Sequence, residues 1–199
     1  MKKKIIVALT GASGSIYGLR LISALMKFPA DVFVIMSEAG RQVAVHETGY
    51  QFGEMAGYLE KTGTKCHDQA VLTQIDPADF FAPIASGSFQ HHGMVVGPCS
   101  MNTLAAVSAG ITDNLIHRAA DVCLKEKRPL ILLAREMPLS LIHLKNMVRA
   151  AEAGATIMPA APGFYTRPET IDDLADAVVS RVLDHLGLDH DVSPRWGNE

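Results

Sequence analysis

No apolar run in this chain approaches the ~20 residues that a membrane-spanning helix needs. No basic block stands out either. Lysine and arginine number 18 against 21 acidic residues, a net charge of -3. That balance disfavours nucleic acid and anionic membrane as partners. Met1-Lys2-Lys3-Lys4 is basic, but the Ile5–Thr10 run behind it is too short and too strand-like for a signal peptide. Cysteine is scarce: Cys66, Cys99 and Cys123 are odd in number and unevenly spaced. A disulfide scaffold is therefore not expected, and a reducing cytoplasm is the expected location. The eight histidines include no H-E-x-x-H, and no cysteine cluster accompanies them. A structural zinc is not expected. No repeat or low-complexity linker divides the 199 residues, and a 48% hydrophobic content suffices for a core. The expectation is one domain over residues 1–199.

The most informative feature present is a strand that runs into glycines. Ile5-Ile6-Val7-Ala8-Leu9-Thr10 is followed by Gly11-Ala12-Ser13-Gly14-Ser15-Ile16-Tyr17-Gly18, and then by a helical pattern. A turn with so few side chains lets backbone N–H groups approach a phosphate at a helix start. Gly11 and Gly14 are three apart, so the loop does not fit G-x-G-x-x-G. It resembles the opening of short-chain dehydrogenases, but no tyrosine here has a lysine four residues on. Glu38 is loosely placed for the ribose of a dinucleotide. A mononucleotide fits better than NAD(P) or a ligand-free turn.

The remaining pattern alternates strand and helix. Strands are expected at 4–10, 31–36, 93–97, 129–134 and 155–159, and helices at 15–27, 38–48, 101–109, 114–127, from Ser140 and from Thr170. Leu141, Leu144, Val148 and Ala151 share one helix face. Ile171, Leu174, Ala175, Val178, Val179 and Val182 share another. Residues 49–82 show no firm period. Buried runs without polar alternation, separated by helices, predict a Rossmann-like parallel sheet covered on both faces. Ligands bind at the carboxyl ends of such strands, where Gly11–Ser13, Ser37, Cys99–Ser100, Arg135-Glu136 and Pro159 should converge.

Each candidate also has a plain structural role. Ser100 can cap a helix. Cys99, beside a helix start, is either an activated thiol or, more simply, a small buried residue. Arg135-Glu136 suits a ligand edge and a solvated loop end equally. Arg118, Lys125, Lys127 and Arg128 suit a solvated helix face. Arg181 borders an apolar face beside Leu174, where a charge needs a partner. Asp172-Asp173-Leu174-Ala175-Asp176 matches the D-D-x-x-D of magnesium pyrophosphate sites, yet Thr170-Ile171-Asp172-Asp173 is a capping box, and that role is preferred.

Taken together, these segments resemble the flavin prenyltransferases, formerly taken for aromatic-acid decarboxylases of ubiquinone biosynthesis. The resemblance spans nearly the whole chain. It rests on Thr10–Gly14, Met36-Ser37, Glu47-Thr48, Ala85-Ser86-Gly87-Ser88, Pro98-Cys99-Ser100 with Thr103, and Arg118-Ala119-Ala120-Asp121-Val122. Further marks are Leu124-Lys125-Glu126, Arg135-Glu136-Met137-Pro138, His143-Leu144, Pro162-Gly163-Phe164-Tyr165 and Arg195-Trp196. The resemblance implies a flavodoxin-like, Rossmann-related fold, a dodecamer of trimers, and a site shared between neighbouring subunits. It implies reduced FMN as acceptor, dimethylallyl monophosphate as donor, no metal, and a fourth ring built on flavin N5 and C6. The prenylated FMN would serve a partner decarboxylase.

By the same resemblance, Gly11, Ala12, Ser13, Ser37, Ser100, Met101, Asn102, Thr103 and Arg135 bind FMN. Arg118, Lys125, Glu136, Tyr165, Arg181 and Trp196 surround the prenyl phosphate. Ser13, Glu47 and Glu136 are the catalytic candidates, the first two for proton handling. One alternative is a flavin-dependent decarboxylase acting directly on an aromatic acid or a peptidyl cysteine; those relatives lack the Tyr165, Arg181 and Arg195-Trp196 pattern. Another is a flavin-storing protein, which would not need the extra cations.

Overall fold

The computed structural model describes residues 2–197. Its strands are β1 (Lys3–Leu9), β2 (Ala30–Met36), β3 (Val71–Ile75), β4 (Gly93–Cys99), β5 (Leu130–Ala134) and β6 (Thr156–Pro159). Its helices are α1 (Ser15–Leu25), α2 (Glu38–Thr48), α3 (Met55–Lys61), α4 (Met101–Ala109), α5 (Leu115–Lys125), α6 (Leu141–Glu152) and α7 (Ile171–His185). All strand pairs are parallel, in the order β3-β2-β1-β4-β5-β6. This is the doubly wound Rossmann order, and the winding reverses between β1 and β4.

Alternate side chains of each strand feed two cores. Ile5, Val7, Leu9, Val32 and Val34 pack with α1, α3 and α7. Ile6, Ala8, Met94, Val96 and Leu132 pack with α4, α5 and Ala150 of α6. Every residue of β4 is buried, as expected of a central parallel strand. Helix starts obey local capping chemistry. Ser37, Ser100, Asn114, Ser140 and Thr170 each accept a backbone N–H from the first turn.

Three sequence expectations meet a different arrangement. Residues 49–82 hold α3 and the edge strand β3. Their signals are weak because α3 buries only Met55 and Leu59, and β3 is half exposed. Contacts from Gln74 to the Tyr50 hydroxyl (3.1 Å) and between the Tyr50 and Tyr58 rings order this stretch. In α6, Leu141, Leu144 and Val148 do share a face, but that face points outward. The buried positions of α6 are Asn146 and Ala150. In α7, Ile171 is exposed, while Ala175, Val178, Val179 and Val182 are buried.

Two glycines shape the start of α1. Gly14 adopts φ 107° as the residue before the helix, a conformation costly for a residue with a Cβ. Gly18 lets α1 lie against the sheet. A Cβ there would run into the Gly97 carbonyl oxygen and lie 2.7 Å from Leu9 Cγ. Gly18→Ala should therefore destabilise the fold by about 2 kcal/mol, overpacking outweighing alanine's helix preference. Urea unfolding would measure it, and an unchanged midpoint would mean that α1 can slide outward.

Candidate functional site

The reversal between β1 and β4 opens a crevice at the carboxyl edge of the sheet. Thr10 pins its two sides. Its buried hydroxyl donates to the Pro98 carbonyl (2.8 Å) and accepts from the Ser100 N–H (2.8 Å). Beside it, the Ser37 N–H donates to the Leu9 carbonyl (3.0 Å), and the Arg135 N–H to the Cys99 carbonyl (3.3 Å). The exits of β1, β2, β4 and β5 are thus bonded into one rim. Of the strand exits picked out by the pattern, Gly11–Ser13, Ser37, Cys99–Ser100 and Arg135-Glu136 follow these bonded positions, Met101–Thr103 form the first turn of α4, and Pro159 ends β6 beside Ala134.

Glu47, near the end of α2, decides how this rim treats an anion. Its carboxylate accepts from the Gly14 N–H (3.0 Å) and the Ser15 N–H (2.9 Å). The start of α1 is therefore filled by a carboxylate of the protein itself. The sequence suggests that this glycine turn cradles a phosphate; in the structure those donors are taken. Burial pushes the Glu47 carboxyl up, but hydrogen bonds from Ser13, Ser15 and Gly14 outweigh it and hold it below the usual range. Glu47 and Ser13, the two residues expected to handle protons, are in contact.

The starts of α2 and α4 suit a phosphate better. Ser37 and Ser100 take the third N–H of each helix (3.0 and 3.3 Å). The first two N–H groups, on Glu38-Ala39 and Met101-Asn102, have no intrahelical acceptor by helix geometry. The Ser100 and Thr103 hydroxyls lie 3.2 Å apart at the start of α4. Arg135 is exposed at the same rim. These groups fit the phosphate of a mononucleotide such as FMN. Cys99 is packing: burial pushes its thiol up to about 12, far from a nucleophilic thiolate.

The expected prenyl-phosphate residues do not gather in one chain. Arg118 and Lys125 sit on α5. Arg118 donates to the Ala85 carbonyl (3.0 Å) and pairs with Asp121 (3.0 Å). Lys125 pairs with Glu126 (2.6 Å), packed against Gly87. Arg128, expected on a solvated face, instead ties the Gly87 and Phe89 carbonyls to this helix (2.6 and 2.8 Å). A second group lies on α7 and the tail. There Tyr165, Arg181, Asp184, Arg195 and Trp196 line a concavity of about 340 Å³. The Tyr165 and Trp196 rings meet edge-on with centroids 5.4 Å apart. Because α5 and α7 cover opposite faces of the sheet, one phosphate cannot touch both groups of a single chain. Glu136 stays at the β5 exit, exposed, accepting only the Met137 N–H (3.0 Å).

The acidic motif at the start of α7 is structural. Asp173 completes a capping box with Thr170. Asp176 makes two 2.5 Å bonds to Arg20, and Asp172 a third contact at 2.8 Å. Among the described residues, no group of three His, Cys, Asp or Glu side chains is placed to hold a metal ion. Arg20, a lone charge in the apolar sequence of α1, was the available signal for this pairing. The Thr10 clasp had no such signal, because its partners are nearly ninety residues away in sequence. A further concavity of about 770 Å³ lies elsewhere, between α3 and β3 beside Met26.

Residues 1–183 match the family model described as Flavoprotein. The chain is 45% identical over 193 residues to the flavin prenyltransferase UbiX of Halalkalibacterium halodurans, covering 97% of this chain and 93% of that protein. It superposes on AnUbiX (PadA1), solved in complex with FMN and dimethylallyl pyrophosphate, with a TM-score of 0.89, 40% identity and full coverage of both chains. A dodecameric FMN-dependent UbiX-like decarboxylase from Escherichia coli O157:H7 is 44% identical, with a TM-score of 0.87 over 98% of this chain and 100% of that one. With this identity along nearly its whole length, on the same doubly wound sheet, the chain belongs to the flavin prenyltransferase family.

Proposed function

We propose that the protein joins the dimethylallyl group of dimethylallyl monophosphate to N5 and C6 of reduced FMN, and delivers the prenylated FMN to a partner aromatic-acid decarboxylase. The observation that carries this reading is full-length likeness to a relative solved with FMN and dimethylallyl pyrophosphate, together with a rim that suits a flavin phosphate. Reduced FMN, once bound, supplies the nucleophilic nitrogen and carbon.

The chain's own residues do the rest. Ser37, Ser100–Thr103 and Arg135 hold the flavin phosphate, while Gly11, Ala12 and Ser13 allow close approach of the ring. Glu47 and Ser13 take the proton lost from N5 as the first bond forms, return one to the prenyl double bond, and take the C6 proton as the second bond closes the ring. On the donor, the allylic C–O bond breaks and the electron pair leaves with the phosphate. Arg118, Lys125, Tyr165 and Arg181 neutralise that phosphate, in place from the outset rather than recruited. Trp196 faces the positive charge that develops on the allyl carbon, and Glu136 orients the leaving group.

The split between the α5 and α7 groups supports a site completed by neighbouring chains. So do the outward face of α6, where Leu141, Ile142, Leu144 and Val148 are exposed, and the loop before it, where Met137 and Leu139 are exposed. An apolar patch of this extent marks an interface. We infer a homo-oligomer, a dodecamer as in the Escherichia coli relative. The free cysteines suit the cytoplasm, and no helix of the described residues is long and apolar enough to cross a membrane.

Anaerobic incubation with reduced FMN and dimethylallyl monophosphate should yield an extracted flavin heavier by one five-carbon unit. Recovery of unmodified FMN alone would overturn the reading. Arg181→Ala should slow transfer by at least about tenfold, or ~1.4 kcal/mol. EDTA and Asp172→Asn should change turnover little, since Asp172 is occupied with Arg20. A magnesium-dependent activity that is lost in Asp172→Asn and survives Arg181→Ala would instead assign a metal pyrophosphate site.

A further inference from the structure

Asp184 stands out among the carboxylates that partner the phosphate-site cations. Asp121 and Glu126 each hold one cation on their own helix. Asp184 gathers three groups from two parts of the chain. Its Oδ2 accepts from Arg181 (2.6 Å), and its Oδ1 accepts from Arg195 (2.8 Å) and His190 (3.1 Å). The His190 side chain is only 1% exposed, against 60% for Arg181. His190 Nδ1 accepts the Val192 N–H (3.4 Å), so Nε2 carries the proton given to Asp184. The buried imidazole thus roots Asp184 and the 190–196 tail in one place. Trp196 follows Arg195 directly and meets Tyr165 across the concavity.

Each guanidinium has five N–H donors and spends one nitrogen on Asp184 here. The remaining donors, beside an aromatic pair, suit a phosphate monoester with a short apolar chain. We propose that Asp184, rooted by His190, is a positioning residue that sets Arg181 and the Arg195-Trp196 tail for the prenyl phosphate. This rests on the prenyl-transfer reading above and adds to it a part of the site supplied by a negative charge. A carboxylate near a phosphate is unfavourable as charge alone, so its benefit must lie in the geometry it imposes. The two effects predict opposite results when the charge is removed.

Asp184→Asn keeps the shape but offers one acceptor oxygen, so its amide group faces one of the donors. With dimethylallyl monophosphate as the varied substrate, the expected result is a KM raised about tenfold with a much smaller fall in kcat. Trp196 is the only tryptophan, so fluorescence of the flavin-free protein reports the tail. Acrylamide quenching should rise in Asp184→Asn and in His190→Gln, with circular dichroism unchanged. Asp184→Glu should restore part of both signals. An unchanged or lowered KM in Asp184→Asn would overturn the positioning role and leave a counter-charge. Arg181→Ala separates the two levels. If it lowers kcat/KM while Asp184→Asn leaves kcat/KM unchanged, the positioning role alone fails. If it has no effect, the phosphate reading fails with it.

Discussion

Glu47→Gln is expected to slow prenyl transfer by about 100-fold or more, the usual contribution of a positioned proton acceptor. The fold should barely notice. Glutamine keeps a carbonyl oxygen that can accept from Gly14 and Ser15, the two donors now served by the carboxylate. Glu47→Ala removes the acceptor as well, and should add a stability loss of about 1–2 kcal/mol from the uncapped start of α1. Comparing the two variants by single-turnover kinetics and urea unfolding separates the roles. Full activity in Glu47→Gln, with a defect only in Glu47→Ala, would make Glu47 a helix cap and nothing more.

The pH dependence follows from the same contacts. The carboxyl of Glu47 sits below its ordinary value of 4.5 in the folded chain. A depressed acid stabilises the fold above its unfolded pKa, and that contribution is lost as pH falls through the folded one. Asp173 and Asp184 are shifted in the same direction. Stability should therefore be level across neutral pH and fall on the acid side, below about pH 4.5. At neutral pH Glu47 is ionised and able to take a proton.

Leu144→Glu combined with Val148→Glu is expected to abolish transfer while leaving the chain folded. Both residues are exposed on the single chain, so the sheet and its cores do not depend on them. Placing two carboxylates on that apolar face would oppose its burial against another chain. Sedimentation should then show species near the 21.4 kDa of one chain. Such a chain keeps the flavin rim, because Thr10, Ser37, Ser100 and Arg135 are bonded within it. It loses any site that combines α5 of one copy with α7 of another. The measurement is sedimentation and turnover on the same sample. A monomer with undiminished transfer would show that one chain holds a complete site.

Much of the molecule was legible without coordinates because it is local. Buried runs such as Ile5–Leu9 and Leu130–Ala134 have no polar alternation, so they had to be central parallel strands. Ser100, Ser140 and Thr170 announced helix starts because a cap acts within three or four residues. The glycine turn and the strand exits followed from the same order, and with them the rim for a mononucleotide. The Asp172-Asp173 pair was read as a helix start for the same reason, and Thr170 and Asp173 do form that box.

Other features depend on partners far away in sequence, and only the tertiary structure decided them. Periodicity showed that Leu141, Leu144 and Val148 share a face. It could not show that this face turns away from the sheet, because an apolar stripe looks the same whether it meets its own core or another chain. The glycine turn promised a phosphate cradle. Packing of α2 beside α1 brought Glu47 onto the Gly14 and Ser15 N–H groups, while the first N–H groups of α2 and α4 keep no intrahelical acceptor. Arg118 and Arg181 carry the same charge in sequence, yet α5 lies in the crossover from β4 to β5 while α7, after β6, returns to pack beside α1 on the opposite face. Composition and spacing can name the groups that a phosphate needs, but the winding of the sheet determines which of them one chain can bring together.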